Sequence, residues 1–147
     1  MYLISACLVG VNCRYNGKDN LNEKVLDFMR NNETIIVCPE QLGGLRTPRF
    51  PAEIVGIDGK KKIVVDNKNT DVTKEFYKGA YEVLKIAKLY NIKGAILKSK
   101  SPSCGYGKIY DGSFSNKLIV GKGVTAEILE KNGIKIYTEE DIDRFNT

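Results

Sequence analysis

The 147-residue sequence contains no histidine, which removes Cys-His and Ser-His dyads, His-containing zinc sites and every imidazole general base. Acid-base work therefore falls to carboxylates, Lys, Tyr or Cys. No apolar run reaches the ~18 residues of a membrane span, and the start Met1-Tyr2-Leu3-Ile4-Ser5-Ala6-Cys7 lacks the basic flank of a signal peptide. A cytoplasmic protein with no membrane partner is expected. The sequence has no C-x-x-C pair, which argues against a zinc ribbon or a thioredoxin-type motif. It also has neither G-x-G-x-x-G nor a Walker A pattern, so any phosphate signal is weak. There is no internal repeat, low-complexity tract or linker.

What is present has a globular balance. Hydrophobic residues make up 42% and charged residues 28%, which excludes a disordered tail, a collagen-like fibre and a disulfide-dense miniprotein. Twenty-three Lys plus Arg against eighteen Asp plus Glu leave +5. That excess suits an anionic ligand but falls short of a nucleic-acid stripe, so no stable nucleic-acid partner is expected.

Tyr2 to Ala6 reads as a buried parallel strand running into a loop with Gly10 and Gly17. Val25, Leu26 and Met29 stand at helical spacing behind Asn20, the predicted N-cap. Thr34 to Val37 is a second strand. The glycines and prolines between Pro39 and Pro51 predict a functional loop without a regular element. Glu53 to Ile57 and Lys62 to Val65 flank Asp58-Gly59 as a hairpin. Asp71 to Tyr90 carries the apolar stripe Phe76, Ala80, Val83, Leu84 and Ala87, with Thr70 or Asp71 as cap. Gly94 to Leu97 is a third buried strand. Tyr110 to Gly112 falls in a loop, a helix spans about 125–131, Ile134 to Tyr137 is a strand, and an acidic helix ends the chain. Strands alternating with helices predict an α/β, three-layer, Rossmann-like domain with a mostly parallel sheet and a small β-hairpin insertion.

Cys7, Cys38 and Cys104 all fall at carboxyl ends of strands, where α/β sheets gather ligands. Three thiolates in one crevice suit an iron-sulfur site, and a three-Cys cubane would leave one iron open as a Lewis acid. As single residues they also read as small buried hydrophobes. Cys13 could complete a four-Cys set. Glu40, two residues beyond Cys38, is either a general base beside the metal or a solvated loop carboxylate. Ser101 and Ser103 flank Pro102 in a turn able to present hydroxyls inward. Arg46, Arg49, Lys98, Lys100 and Lys122 could hold a phosphate, with Gly121-Lys122-Gly123 as an anion cradle opening a helix.

Taken together, Ile4-Ser5-Ala6-Cys7-Leu8 with Cys13-Arg14-Tyr15-Asn16-Gly17, Cys38-Pro39-Glu40 with Gly43-Gly44-Leu45 and Pro48-Arg49, and Leu97 to Gly105 with Tyr110 to Phe114 resemble the thiouracil desulfidase family. The resemblance covers nearly the whole chain and implies one desulfidase domain over residues 1–147. It implies a 4Fe-4S cluster on Cys7, Cys38 and Cys104 with one open iron, and Glu40 and Ser101 as the catalytic pair. Cys13 occupies a place where the family often carries an apolar residue, which argues against it as a ligand. The expected reaction is non-redox hydrolysis of a thiolated uracil or its nucleotide to the oxo form with release of hydrogen sulfide. Arg49, Ser103 and Lys122 are the candidate substrate contacts. The rivals are an iron-sulfur carrier or sensor without turnover, for which Glu40 and Ser101 would be superfluous, and a nucleotide- or RNA-binding module with structural Cys.

Overall fold

The computed structural model describes residues 1–145. Its centre is a four-stranded parallel sheet in the order β2-β1-β5-β8, built from Tyr2–Ser5 (β1), Thr34–Val37 (β2), Gly94–Leu97 (β5) and Lys135–Thr138 (β8). The short apolar runs become strands because both faces of the central strands β1 and β5 are covered, while the edge strand β2 leaves Ile36 exposed. Leu3, Ala95 and Leu97 face a core with Phe76, Ala80 and Val83 of helix α3 (Thr73–Leu89) and Leu129 of α4 (Val124–Lys131). Ile4 and Ile96 face the other way, onto Val25 and Phe28 of α1 (Glu23–Arg30) and Ile142 of a C-terminal 3-10 helix. This alternation gives the three layers and the parallel α/β sheet that the strand-helix order predicts. No helix among the described residues is long and apolar enough to cross a membrane.

Two antiparallel hairpins stand outside the sheet: β3 (Ala52–Asp58) with β4 (Lys61–Asp66), and β6 (Tyr106–Tyr110) with β7 (Leu118–Lys122). The second was not expected. Its strands carry Gly107 and Gly121, its outer face is open, with Val120 88% exposed, and its seven-residue connection hides the hairpin signal.

Three local expectations are corrected. The N-cap of α1 is Asn22, whose side chain accepts from the Lys24 and Val25 N–H groups; Asn20 turns elsewhere. The segment after Cys38 does hold a regular element, the single-turn helix α2 (Pro39–Leu42), entered through Pro39 at its first turn as proline's fixed φ favours. The cap of α3 is Val72, although the Asp71 carboxylate still accepts from Thr73 N–H at 2.9 Å.

Helix α2 is seated directly on α3. A Cβ on Gly79 would lie 1.9 Å from the Pro39 carbonyl oxygen, and one on Gly43 2.0 Å from that of Glu75. Only two glycines permit this approach, and it fixes α2, which carries Glu40, on α3.

Candidate active site

At the carboxyl edge of β1, β2 and β5 lies a cavity of about 440 Å³ lined by all four cysteines. Cys7 sits in a 3-10 turn (Ala6–Val9) after β1, Cys38 caps α2 after β2, and Cys104 follows β5. Cys13 reaches the same cavity from the loop after the 3-10 turn. The parallel strands bring together residues up to 97 positions apart (7 to 104) because each strand ends at the same edge.

The thiols differ electrostatically. The Cys13 thiol neighbours both Cys7 and Cys38, and sharing its proton with them pushes its own pKa up and theirs down. Cys38 is held at about 7 by Cys13 against the opposing effect of burial, with help from the Gln41 backbone N–H. Cys7 is lowered by Cys13 first, against burial, and then by the Asn20 side chain. Asn20 therefore serves the site rather than the helix. Cys104 is raised to about 12, mainly by burial, although the Ser5 hydroxyl donates to its sulfur at 3.2 Å.

Among the described residues, no three His, Cys, Asp or Glu side chains stand close enough to hold a single metal ion. A cubane cluster is a larger body and takes its thiolates farther apart. The donor set fits such a group: all four cysteines are free thiols on one cavity, and soft sulfur selects iron-sulfur or zinc centres over hard cations.

Beside the thiols runs a polar chain. Ser101 Oγ accepts from the backbone N–H groups of Ser103 and Cys104 at 3.1 and 3.0 Å and lies 3.0 Å from Ser103 Oγ. Ser103 Oγ donates to Glu40 Oε2 at 3.2 Å, while Arg49 Nε donates to Glu40 Oε1 at 3.4 Å. Glu40 and Ser101 both line the cavity, whereas Ser103 stands behind them, 1% exposed.

Arg49 lines the cavity too, but its guanidinium is already committed to Glu40, to Thr47 Oγ1 at 3.0 Å and to the Cys13 carbonyl at 2.9 Å. Its side chain is only 8% exposed. Lys122 is not among the lining residues; it ends β7 with its amine 2.5 Å from Glu130. Gly121 and Lys122 belong to β7, and only Gly123 caps α4.

The helix α4 N-terminus is not an open anion cradle. Its first N–H groups are taken by the Pro102 and Ser103 carbonyls, from Val124 at 2.9 Å, Thr125 at 2.8 Å and Ala126 at 3.1 Å. A Cβ on Gly123 would lie 2.5 Å from Ser103 backbone atoms. The helix thus clamps the Ser101–Cys104 turn, satisfying its own orphan donors. Ser5, Tyr110 and Phe114 stand in the sequence blocks that carry the family resemblance but had no role assigned to them, and Asn116 was not singled out at all.

A family model described as 2-thiouracil desulfurase matches residues 2–141. The chain is 43% identical over 149 residues to the uncharacterized protein YbbK of Bacillus subtilis (strain 168), covering 97% of this chain and 98% of that one. Among solved structures it is similar to the [4Fe-4S]-dependent thiouracil desulfidase TudS, with a TM-score of 0.87 and 36% identity over 97% of this chain and 93% of that one. By the family match over nearly its full length, the chain belongs to the 2-thiouracil desulfurase family.

Proposed function

We propose that the chain is a non-redox desulfidase that replaces the thiocarbonyl sulfur of a thiolated uracil with oxygen from water and releases hydrogen sulfide. The single observation that carries this reading is the convergence of four thiols with the Ser101–Ser103–Glu40 chain on one cavity. A carrier of clusters has no use for that chain. Similarity to TudS, whose description names a 4Fe-4S dependence, supports the same reading. Cys7, Cys38 and Cys104 would hold the cluster, which when bound supplies a Lewis acid for the thiocarbonyl sulfur at its iron without a protein ligand.

The remaining work belongs to the chain. Ser101 Oγ already accepts two backbone N–H groups, which occupy its lone pairs and leave its O–H as a donor. That O–H faces Ser103 Oγ at 3.0 Å, and by turning from it to the oxygen of a bound water it would orient the water while Glu40 accepts the water's proton. Ser103 and Arg49, each bonded to a different carboxylate oxygen, hold Glu40 in one orientation. Attack forms the new carbon-oxygen bond. Breakage of the carbon-sulfur bond then releases the sulfur, which takes up the protons of the consumed water as hydrogen sulfide.

Free base and nucleotide remain the two substrate forms. Among the described residues Lys100 lines the cavity without an ion-pair partner, whereas Lys98 is paired with Glu139 at 3.2 Å. A phosphate would therefore be met by Lys100 rather than by Lys122.

Anaerobic reconstitution should give brown protein with about four irons and four sulfides per chain, as one cubane requires, and sulfide release from 2- or 4-thiouracil. Cys7→Ala, Cys38→Ala and Cys104→Ala should each lose the cluster, while Cys13→Ala keeps it. Colourless wild-type protein, or loss of the cluster in the Cys13 variant alone, would overturn the ligand assignment. Loaded protein that releases no sulfide from either base or from their nucleotides would overturn the reaction.

A further inference from the structure

The loop between β6 and β7 holds a bulky residue in a backbone conformation that its side chain opposes. Phe114 has φ 56°, in the left-handed region where Cβ crowds the following carbonyl and which few bulky residues adopt. The loop is tied down on several sides. Glu53 Oε1 of β3 accepts from the Gly112 and Phe114 N–H groups at 3.0 and 3.2 Å, and Asp111 N–H donates to the Lys117 carbonyl at 2.9 Å. At Gly112, φ 93°, a Cβ would lie 2.7 Å from the Ile54 carbonyl oxygen.

Core burial does not offset this strain, because Phe114 is 38% exposed. Among the described residues its ring also has no aromatic or cationic partner. Instead it lines the cavity of the four cysteines, beside Tyr110 and Asn116 of the same hairpin. A tied loop that holds an open aromatic ring in strain at a cavity is the kind of outlier that marks a functional position.

We propose that Phe114 is a specificity-determining residue whose ring stacks on the flat pyrimidine ring of the substrate. This rests on the reading of the cavity as a thiolated-uracil site. A π-face needs no hydrogen bond from the base, so the polar edge stays free for the chemistry, and a pre-held ring loses little freedom on binding.

The test compares wild-type protein with Phe114→Leu, Phe114→Tyr and Phe114→Gly, each loaded with its cluster and assayed for iron. Loss of the π-face in the Leu variant should raise KM for thiouracil roughly 5- to 150-fold, the span of base-aromatic stacking, with kcat within about threefold. The Tyr variant should bind as wild type does. KM for the non-planar 5,6-dihydro analogue should be the same in wild type and the Leu variant. The Gly variant, at ease at this φ, should melt no earlier than wild type yet bind as weakly as the Leu variant.

Calorimetric binding of uracil, which needs no turnover, separates the two readings. Weaker uracil binding by the Leu variant, in a protein that desulfurates nothing, would sustain stacking while sinking the reaction. Equal KM and equal uracil affinity in wild type and the Leu variant would overturn stacking and leave the reaction standing. A Gly variant that melts earlier with unchanged binding would make Phe114 a structural residue and overturn the proposal.

Discussion

Replacing Glu40 by Gln removes one proton acceptor and almost nothing else, so its consequences can be worked out bond by bond. The carboxylate now accepts at both oxygens, from Arg49 Nε at 3.4 Å and from Ser103 Oγ at 3.2 Å. A carboxamide offers one oxygen and one NH₂. The low-energy arrangement turns its oxygen to Arg49 and its NH₂ to Ser103, which can accept because it is a hydroxyl. Ser103 then accepts from both the amide and the Ser101 hydroxyl, and its own proton turns to Cys104 Sγ, 3.7 Å away. Every group keeps a partner except in charge: the Arg49 guanidinium loses its counter-ion while retaining the Thr47 hydroxyl and the Cys13 carbonyl. Arg49 and Glu40 are only 8% and 18% exposed, so the loss exceeds that of a surface pair. A cost of about 1–2 kcal/mol follows, or roughly 2–8 °C in Tm for a chain of this size. The cysteines are untouched, so iron content should match that of wild type. General-base catalysis is worth about 100- to 10,000-fold, or about 3–5 kcal/mol of barrier. Glu40→Gln should therefore retain its cluster, melt a few degrees lower and release sulfide at least ~100-fold more slowly. Sulfide and iron must be measured on the same anaerobic sample. Sulfide released at the wild-type rate by fully loaded Glu40→Gln would refute the general-base role.

Gly79→Ala drives a methyl into the Pro39 carbonyl, which now leaves only 1.9 Å for a Cβ; overpacking should cost roughly 1–3 kcal/mol, seen as a lower urea midpoint, and should lower kcat because α2 carries Glu40. A variant as stable and active as wild type would show that α2 does not depend on this seat. The Glu127 carboxyl is held below its usual 4.5: burial opposes ionisation, but Lys62 at 2.8 Å and Lys131 at 3.2 Å outweigh it. Since the folded pKa is depressed, its stabilisation is present above about pH 4.5 and lost as pH falls through the folded value. Lys62→Met should therefore be less stable than wild type by about 1 kcal/mol at pH 7, with the gap closing towards pH 3 in urea melts. A gap that does not change with pH would show that Lys62 contributes through packing and its 2.6 Å bond to the Lys122 carbonyl rather than through the ion pair.

The features legible in the sequence are local or repeated. The runs Tyr2 to Ala6, Thr34 to Val37 and Gly94 to Leu97 are mostly apolar, most fully in the central strands β1 and β5, which are covered on both faces, and their placement before Cys7, Cys38 and Cys104 marked one edge as the reactive one. The α3 stripe and the Asp58-Gly59 turn are likewise written in neighbouring residues. The tertiary structure alone decided which polar groups meet. Asn20 and Asn22 are equivalent as capping residues, and only the path of the loop assigns Asn22 to α1 and Asn20 to Cys7. Gly121-Lys122-Gly123 has the composition of an anion cradle, but the Pro102 and Ser103 carbonyls, distant in sequence, occupy the helix N–H groups first. The β6–β7 hairpin left little mark on periodicity because its glycines and open outer face remove the alternation that burial imposes. The backbone at Phe114 is tied in part to Glu53, 61 residues away, a contact that no window of sequence contains. Hydrophobic burial acts along the chain with a short period and so can be read there, whereas hydrogen-bond competition is settled only when segments far apart compete for the same donor.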